Sequence, residues 1–195
     1  MLARAGNLPR TTGYGFEVKW DGFRAVVSTV TGARVRSRRG WDMTDRAREL
    51  AGLPPGLVLD GELVAFDGDG LPSFPLLCRR MLHGDDEVAI TYLIFDLLWV
   101  DGEDVMGMRY ADRRELLEEL DLRGPCWRTP PYTTEGTHLE RWVLERGLEG
   151  LIAKQLDAPY RPGRREWIKV KNPAYWRRGP ERAAMDRSYA RKDGG

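Results

Sequence analysis

Five lysines stand among 31 basic residues in this chain of 195; the other 26 are arginines. Four of the five, Lys19, Lys154, Lys169 and Lys171, lie where a nucleotide-phosphate site would need them, and Lys192 lies in the tail. An amine can lose its proton and attack an electrophile, whereas a guanidinium effectively stays protonated. Lys19, within Glu17-Val18-Lys19-Trp20-Asp21-Gly22-Phe23-Arg24, is therefore the candidate nucleophile. A lysine with an ordinary pKa of about 10.4 needs burial or nearby positive charge to be neutral near pH 7. Lys169 and Lys171, two apart on a predicted strand, would share a face, supply that charge and hold a phosphate. Asp21-Gly22 predicts a tight turn that presents the amine and reverses the chain. The same dipeptide occurs in many plain surface hairpins, so it does not decide the matter alone.

Carboxylates provide the second half of the pattern. Asp60-Gly61-Glu62 interrupts an apolar run from Leu57 to Ala65. Glu62 is then either an exposed residue of an edge strand or a ligand reaching into a pocket. Glu149-Gly150-Leu151-Ile152-Ala153-Lys154 repeats the arrangement, with acid and amine flanking a short buried strand. Glu62 and Glu149 could hold Mg²⁺ against phosphate oxygens, as phosphoryl-type transfer requires. Phe95, next to Asp96 in another apolar run, could stack on a base or simply fill the core.

The elements that must position these groups read as follows. Gly15–Trp20, Phe23–Val30 and Ala33–Ser37 are strand-like and separated by Asp21-Gly22 and Thr31-Gly32, which predicts an antiparallel meander. Leu57–Phe66 and Ala89–Val100 predict longer, buried strands. Asp112 with Glu115, ahead of Leu116, Leu117 and Leu120, reads as a capping box opening a helix. Thr137 with Glu140, ahead of Trp142 and Val143, reads as a second, closed by Gly147. Shorter helices are expected at Thr44–Leu50 and Phe74–His83. Gly150–Gln155 and Glu166–Lys171 read as strands around an Arg/Pro/Gly loop at Asp157–Arg165, and a basic helix is expected beyond Pro173. Without βαβ alternation or internal repeat, the class is α+β built on antiparallel sheet.

Composition narrows the setting. Hydrophobic content of 42% and charged content of 31% are those of a globular protein, with a net charge of +1. The charge is uneven: Arg161 to Lys192 is basic and Asp101 to Glu119 acid-rich, which favours a polyanionic partner near the C-terminal half. Cys78 and Cys126 are isolated, as are His83 and His138, so neither a disulfide framework nor a zinc site is indicated. The sequence offers no signal core and no membrane-length apolar run, so a cytoplasmic protein without a membrane partner is expected.

Lys-x-Asp-Gly-x-Arg at Lys19, Ser-Arg-x-Gly at Ser37, Asp-Gly-Glu at Asp60, Phe-Asp at Phe95, Glu-Gly-x-x-x-Lys at Glu149 and Trp-Ile-Lys-x-Lys at Trp167 follow one another in this order. Together they resemble the covalent nucleotidyltransferase superfamily of DNA ligases, RNA ligases and capping enzymes. Within it the chain is most similar to bacterial ATP-dependent DNA ligases of the end-joining type, over roughly residues 1 to 173. The resemblance implies an ATP-grasp-like covalent nucleotidyltransferase fold, antiparallel sheets flanked by helices with the nucleotide site between them. It also implies that Lys19 attacks the α-phosphate of ATP and carries AMP covalently. Glu17 would contact the adenine amino group, Arg24 the ribose or the nick, and Phe95 would stack on adenine. Glu62 would bind ribose or metal and Glu149 metal, Mg²⁺ or Mn²⁺, while Lys169 and Lys171 would grip the α-phosphate. Lys154 belongs to the same motif, with no settled role. Arg38, Arg39, Arg164 and Arg165 would contact DNA, Arg38 at the 5′-phosphate.

Two departures are visible. The family's usual Ser-Arg-Asn-Gly is here Ser37-Arg38-Arg39-Gly40, with an added positive charge. The family ligases continue into an OB-fold after the last Lys-x-Lys, and the 24 residues after Lys171 are too few for one. The expected organisation is an adenylation domain at 1–173 and a basic tail at 174–195. The expected partners are nicked or broken DNA, with an OB-fold or end-joining repair protein supplied in trans. A non-catalytic ATP- or DNA-end-binding module, and a nucleotidyltransferase acting on RNA ends, are the alternatives.

Overall fold

A computed structural model describes residues 1–175, in which ten strands form two sheets. The smaller sheet contains β1 (Ala3–Ala5), β2 (Tyr14–Val18), β9 (Gly150–Gln155) and β10 (Trp167–Lys171), in the order β1-β10-β9-β2. Its pairings are antiparallel except for β1 on β10. The larger sheet contains β3 (Phe23–Ser28), β4 (Arg34–Ser37), β5 (Val58–Val64), β6 (Thr91–Val100) and β7 (Glu103–Asp104), in the order β4-β3-β5-β6-β7. A two-residue strand, β8 (Trp127–Arg128), pairs in parallel with β6.

The burial pattern explains the layering. On β3, Phe23, Ala25 and Val27 point into the main core while Arg24 and Val26 take the other face. That is the period of two expected of a strand. β6 is buried over most of its length because both faces are covered, the circumstance that produces continuous apolar runs. The main core collects Val27, Leu59, Leu63, Tyr92, Leu97 and Leu117 behind the larger sheet. A second cluster, Met1, Leu98, Tyr160 and Trp167, packs between the sheets, with Phe95 and Ile152 at its margin. The antiparallel α+β class read from sequence is the one observed.

The predicted meander holds only in its second half, where β3 and β4 form an antiparallel hairpin. Tyr14–Val18 pairs with β9, and Phe23–Ser28 pairs with β4 and β5 in the other sheet. Asp21-Gly22 is therefore a crossing between sheets rather than a hairpin turn. Adjacency in sequence favoured a hairpin, but long-range pairing of β2 with β9 wins. Gly22 permits the crossing because a Cβ there would run into the Leu63 carbonyl and lie 2.8 Å from Glu62 Cγ. Gly22→Ala is expected to destabilise the fold by about 1–3 kcal/mol, as overpacking does. Urea denaturation reads this, and an unchanged midpoint would remove the steric argument.

Both predicted capping boxes fail as well. α2 spans Tyr110–Glu119 with Arg109 at the N-cap, so Asp112 sits inside the first turn, bonded by the Arg109 guanidinium at 2.6 and 2.9 Å. α3 spans Gly136–Glu145 with Glu135 at the N-cap, which puts Thr137 inside the helix. Its end was read correctly: Gly147 takes a φ of 61°. Thr44–Leu50 is two 3₁₀ turns, Thr44–Arg46 and Arg48–Gly52, and Phe74–His83 is a short α1 (Phe74–Cys78) running into a π turn, Arg79–His83. The π turn lets Arg80 bury its guanidinium against the Arg46 carbonyl and Glu49. Most of the helix expected beyond Pro173 lies outside the described residues.

Candidate functional site

The two sheets face each other across a cleft of about 230 Å³. One wall comes from β2, β9 and β10 with Glu17, Lys154, Trp167 and Lys169; the other comes from β3, β5 and β6 with Arg24, Glu62 and Phe95. Lys19 enters at the crossing, held by its backbone N–H to the Gly150 carbonyl at 2.9 Å. Two larger open clefts, of about 780 and 950 Å³, contain no lysine. The sequence-predicted nucleophile and its companions thus converge in one place, although they come from positions 17 to 169.

At one end of the cleft, Lys19 Nζ donates to the Glu149 carboxylate, a part-buried ion pair with 21% and 13% of the two side chains exposed. Lys169 is close enough to feel Lys19, and burial, then Lys171 and Lys19, lower its pKa. Lys169 lines the cleft; Lys171 is exposed and does not. Of the pair read as one phosphate grip, Lys169 reaches the cavity, and the charge of Lys171 bears on Lys169.

Glu62 lies on a central strand, not an edge, and reaches into the cleft. Burial pushes its carboxyl from 4.5 up to about 8, against the pull of Lys19 and Arg24 and with a further push from Glu149. The folded protein then binds more proton than the unfolded chain between those two values, so this group's contribution to stability falls as pH rises through that window. Glu62→Gln is expected to flatten the pH dependence from about 4.5 to about 8. Thermal melts of both proteins in chelator-treated buffer read it; parallel curves would contradict it. No group of three or more acidic, His or Cys side chains suited to a metal occurs among the described residues. Glu62 and Glu149, both coupled to Lys19, fit instead the mode in which one or two carboxylates share Mg²⁺ with substrate phosphates and water.

The other end is aromatic. Trp167 meets Phe95 edge-on at 5.7 Å between centroids, and Lys154 Nζ lies 4.5 Å from the Phe95 ring and 4.4 Å from that of Trp167. Lys154 is almost fully buried, and that burial lowers its pKa against the opposing pull of Glu17. Its ammonium bonds Glu17 Oε2 at 2.8 Å and the Phe95 carbonyl at 3.2 Å. Tyr110 donates its hydroxyl to Glu17 Oε1. Glu17, which the motif made conspicuous, is thus a buried carboxylate whose oxygens face donors at the cleft wall.

Several partners had no sequence signal. Arg24 forks onto Asp60 at 2.9 and 2.6 Å, and Tyr160 donates to Asp60 at 2.8 Å. Arg113 forks onto Asp96 at 2.7 and 3.0 Å, behind Phe95. Tyr175 donates to Asp21 at 2.7 Å, joining the segment after β10 to the Lys19 loop. Asp60 and Asp96 themselves belong to the Asp-Gly-Glu and Phe-Asp motifs, as acids in apolar strands; their partners could not be paired from one sequence. Of the four arginines assigned to DNA, Arg38 lines the cleft, while Arg39, Arg164 and Arg165 are exposed outside it.

Comparison with known proteins follows the same lines. The family model described as the ATP dependent DNA ligase domain matches residues 5–171. The multifunctional non-homologous end joining DNA repair protein LigD of Mycobacterium tuberculosis is 39% identical over 184 residues, covering 88% of this chain and 24% of that protein. The solved ligase domain of M. tuberculosis LigD superposes with a TM-score of 0.75 at 36% identity, covering 87% of this chain and 59% of the other. A mycobacterial DNA ligase D complexed with ATP and MES gives 0.72 at 35% identity, covering 88% and 59%. The chain spans about a quarter of the length of the LigD relative.

Proposed function

The chain belongs to the ATP-dependent DNA ligase domain family, and on that premise we propose that its cleft transfers AMP from ATP to Lys19 and then to a DNA 5′-phosphate. The observation that carries the reading is the placement of Lys19 beside Glu149, with Lys169 and Glu62 in the same cleft. In the first step Lys19 Nζ, having lost a proton to solvent, attacks the α-phosphorus; an N–P bond forms, the P–O bond to pyrophosphate breaks, and the remaining excess proton on nitrogen passes to solvent. Glu149, which holds Nζ in this state, must release it before attack. Lys169 offsets charge at the phosphate. In the second step a 5′-phosphate oxygen attacks the same phosphorus and the N–P bond breaks. A 3′-hydroxyl then joins the strand and frees AMP.

Glu62 and Glu149 would hold Mg²⁺ or Mn²⁺, which supplies charge neutralisation for the triphosphate when bound. Phe95 forms the face on which adenine stacks, and Glu17 accepts from the adenine amine. Arg24, fixed by Asp60, faces the ribose. Arg38, Arg39, Arg164 and Arg165 meet the backbone of nicked or broken DNA, and Lys171 adds to the phosphate field. Residues 1–173 act as the adenylation unit and 174–195 as a basic tail. An OB-fold or an end-joining repair protein completes the enclosure of DNA. Among the described residues no helix is long and apolar enough to cross a membrane, in keeping with work in the bacterial cytosol.

Isotope position tests the transfer. Label from α-³²P-ATP is expected to stay on the protein and label from γ-³²P-ATP to leave; retention of the γ label would replace adenylylation by phosphorylation. Phe95→Leu keeps an apolar side chain and removes the π face. It is expected to weaken ATP binding by about 1–3 kcal/mol, the range for base–aromatic stacking. Equilibrium binding measures it, and unchanged affinity would move the base elsewhere.

A further inference from the structure

α2 carries two residues, Tyr110 and Arg114, that the transfer chemistry leaves unused and that do not line the cleft. They are four apart, so they share a helix face, and both point at Glu17. The Tyr110 hydroxyl donates to Glu17 Oε1, and Arg114 Nη1 lies 3.9 Å from the same oxygen. Arg114 is 1% exposed. Its Nη2 donates to the Pro130 carbonyl at 2.8 Å and to Glu118 at 3.3 Å, but Nε and Nη1 have no hydrogen-bond acceptor. Burying a guanidinium with unused donors is costly. Of the carboxylates near that edge, the buried one is Glu17.

Every group facing Glu17 is a donor: Tyr110 Oη, Arg114 Nη1 and Lys154 Nζ. None of them, in these contacts, offers an acceptor for a proton on the carboxyl. Glu17 is thereby presented to the cleft as an acceptor, able to meet an exocyclic amine and opposed to a carbonyl oxygen.

We propose that Tyr110 and Arg114 are positioning residues that set the base selectivity of the cleft by holding Glu17 as an acceptor, without touching nucleotide themselves. This rests on the assignment of the cleft to ATP. It assigns to α2 a role in choosing a 6-amino over a 6-oxo purine. Neighbouring Arg113 serves the opposite wall through Asp96, so the same helix braces both the edge and the face of the base site.

The test compares ATP with ITP, which replaces the 6-amine by an oxygen. Adduct formation is followed as kcat/KM, and binding of both nucleotides is measured on the same proteins. The wild type is expected to favour ATP. Arg114→Met and Tyr110→Phe are each expected to reduce the ATP-to-ITP ratio about tenfold, a fraction of the discrimination that a polar contact to a substrate group can supply. Arg114→Lys, which keeps charge and donors, is expected to restore most of it. Equal loss for both nucleotides, with the ratio unchanged, would assign the pair a purely structural role and overturn the proposal. Circular dichroism identifies a variant that has not folded, and Tyr110→Phe then carries the test because it removes one oxygen atom only. If no adduct forms on the wild type, the transfer reading fails, while the binding ratios still decide the α2 proposal.

Discussion

Lys19→Arg is expected to form no covalent AMP under conditions in which the wild type is adenylylated. The substitution keeps a cation beside Glu149, so the ion pair at the cleft end persists. It removes the one property that matters, since guanidinium does not give up a proton to become a nucleophile. ATP binding should survive within a few-fold because Phe95, Glu17 and Lys169 are untouched. Lys19→Ala should lose the adduct equally. It also leaves Glu149 and Glu62 facing each other with less compensation, so its ATP-free stability should fall below that of Lys19→Arg. Intact-protein mass spectrometry separates these outcomes, and an adduct on both variants would reject Lys19 as the nucleophile.

Asp96→Ala is expected to cost about 3–5 kcal/mol of folding stability, the range for removing one partner of a buried ion pair. Asp96 is fully buried and accepts from the Arg113 guanidinium at 2.7 and 3.0 Å and from the Leu97 backbone N–H at 3.1 Å. Burial raises the Asp96 carboxyl pKa, and the Arg113 hydrogen bonds oppose it. Without the carboxylate, Arg113 keeps the Met108 carbonyl at 2.6 Å but has no counter-ion of its own. A double variant, Asp96→Leu with Arg113→Met, should recover most of the loss, because an apolar pair of similar volume often equals a buried salt bridge. Urea unfolding measures both. A loss under about 1 kcal/mol for Asp96→Ala would mean that water or a neighbour satisfies Arg113.

The two results have a shared geometry. Lys19 and Glu149 close one end of the cleft, while Arg113 fixes α2 against β6 at the other. Damage at Asp96 should therefore reach Phe95 next to it, and with it base binding, before it reaches the phosphate end.

How much of this could be read beforehand varies by type of signal. Glu17, Lys19, Glu62, Phe95, Glu149 and Lys169 each stand out as a polar or aromatic residue breaking an apolar or turn-bounded segment. All of them reach the cleft or its Lys19 contact. The strand positions were also legible, since β3, β5 and β6 carry their apolar pattern locally. Pairing was not. Tyr14–Val18 finds its partner more than a hundred residues away at β9, and no local pattern encodes that choice. The helix starts failed for a related reason: Asp112 is drawn to Arg109 and Thr137 falls inside its helix, so an acid or hydroxyl three residues before a Glu was not a cap. Lys171 lies beyond the cleft lining because period-two alternation fixes a face but not the depth at which a strand leaves the cleft. Tyr110 and Arg114 escaped notice because a tyrosine and an arginine on a polar helix look ordinary until Glu17 is seen beside them.

Site-resolved peptide mapping after incubation with ATP and Mg²⁺ tests the central claim most directly. The expected result is a single AMP on the peptide containing Lys19, absent from Lys19→Arg. AMP on Lys154 or Lys169 instead, or an unmodified wild type that nonetheless binds ATP, would contradict Lys19 as the adenylylated residue of this cleft.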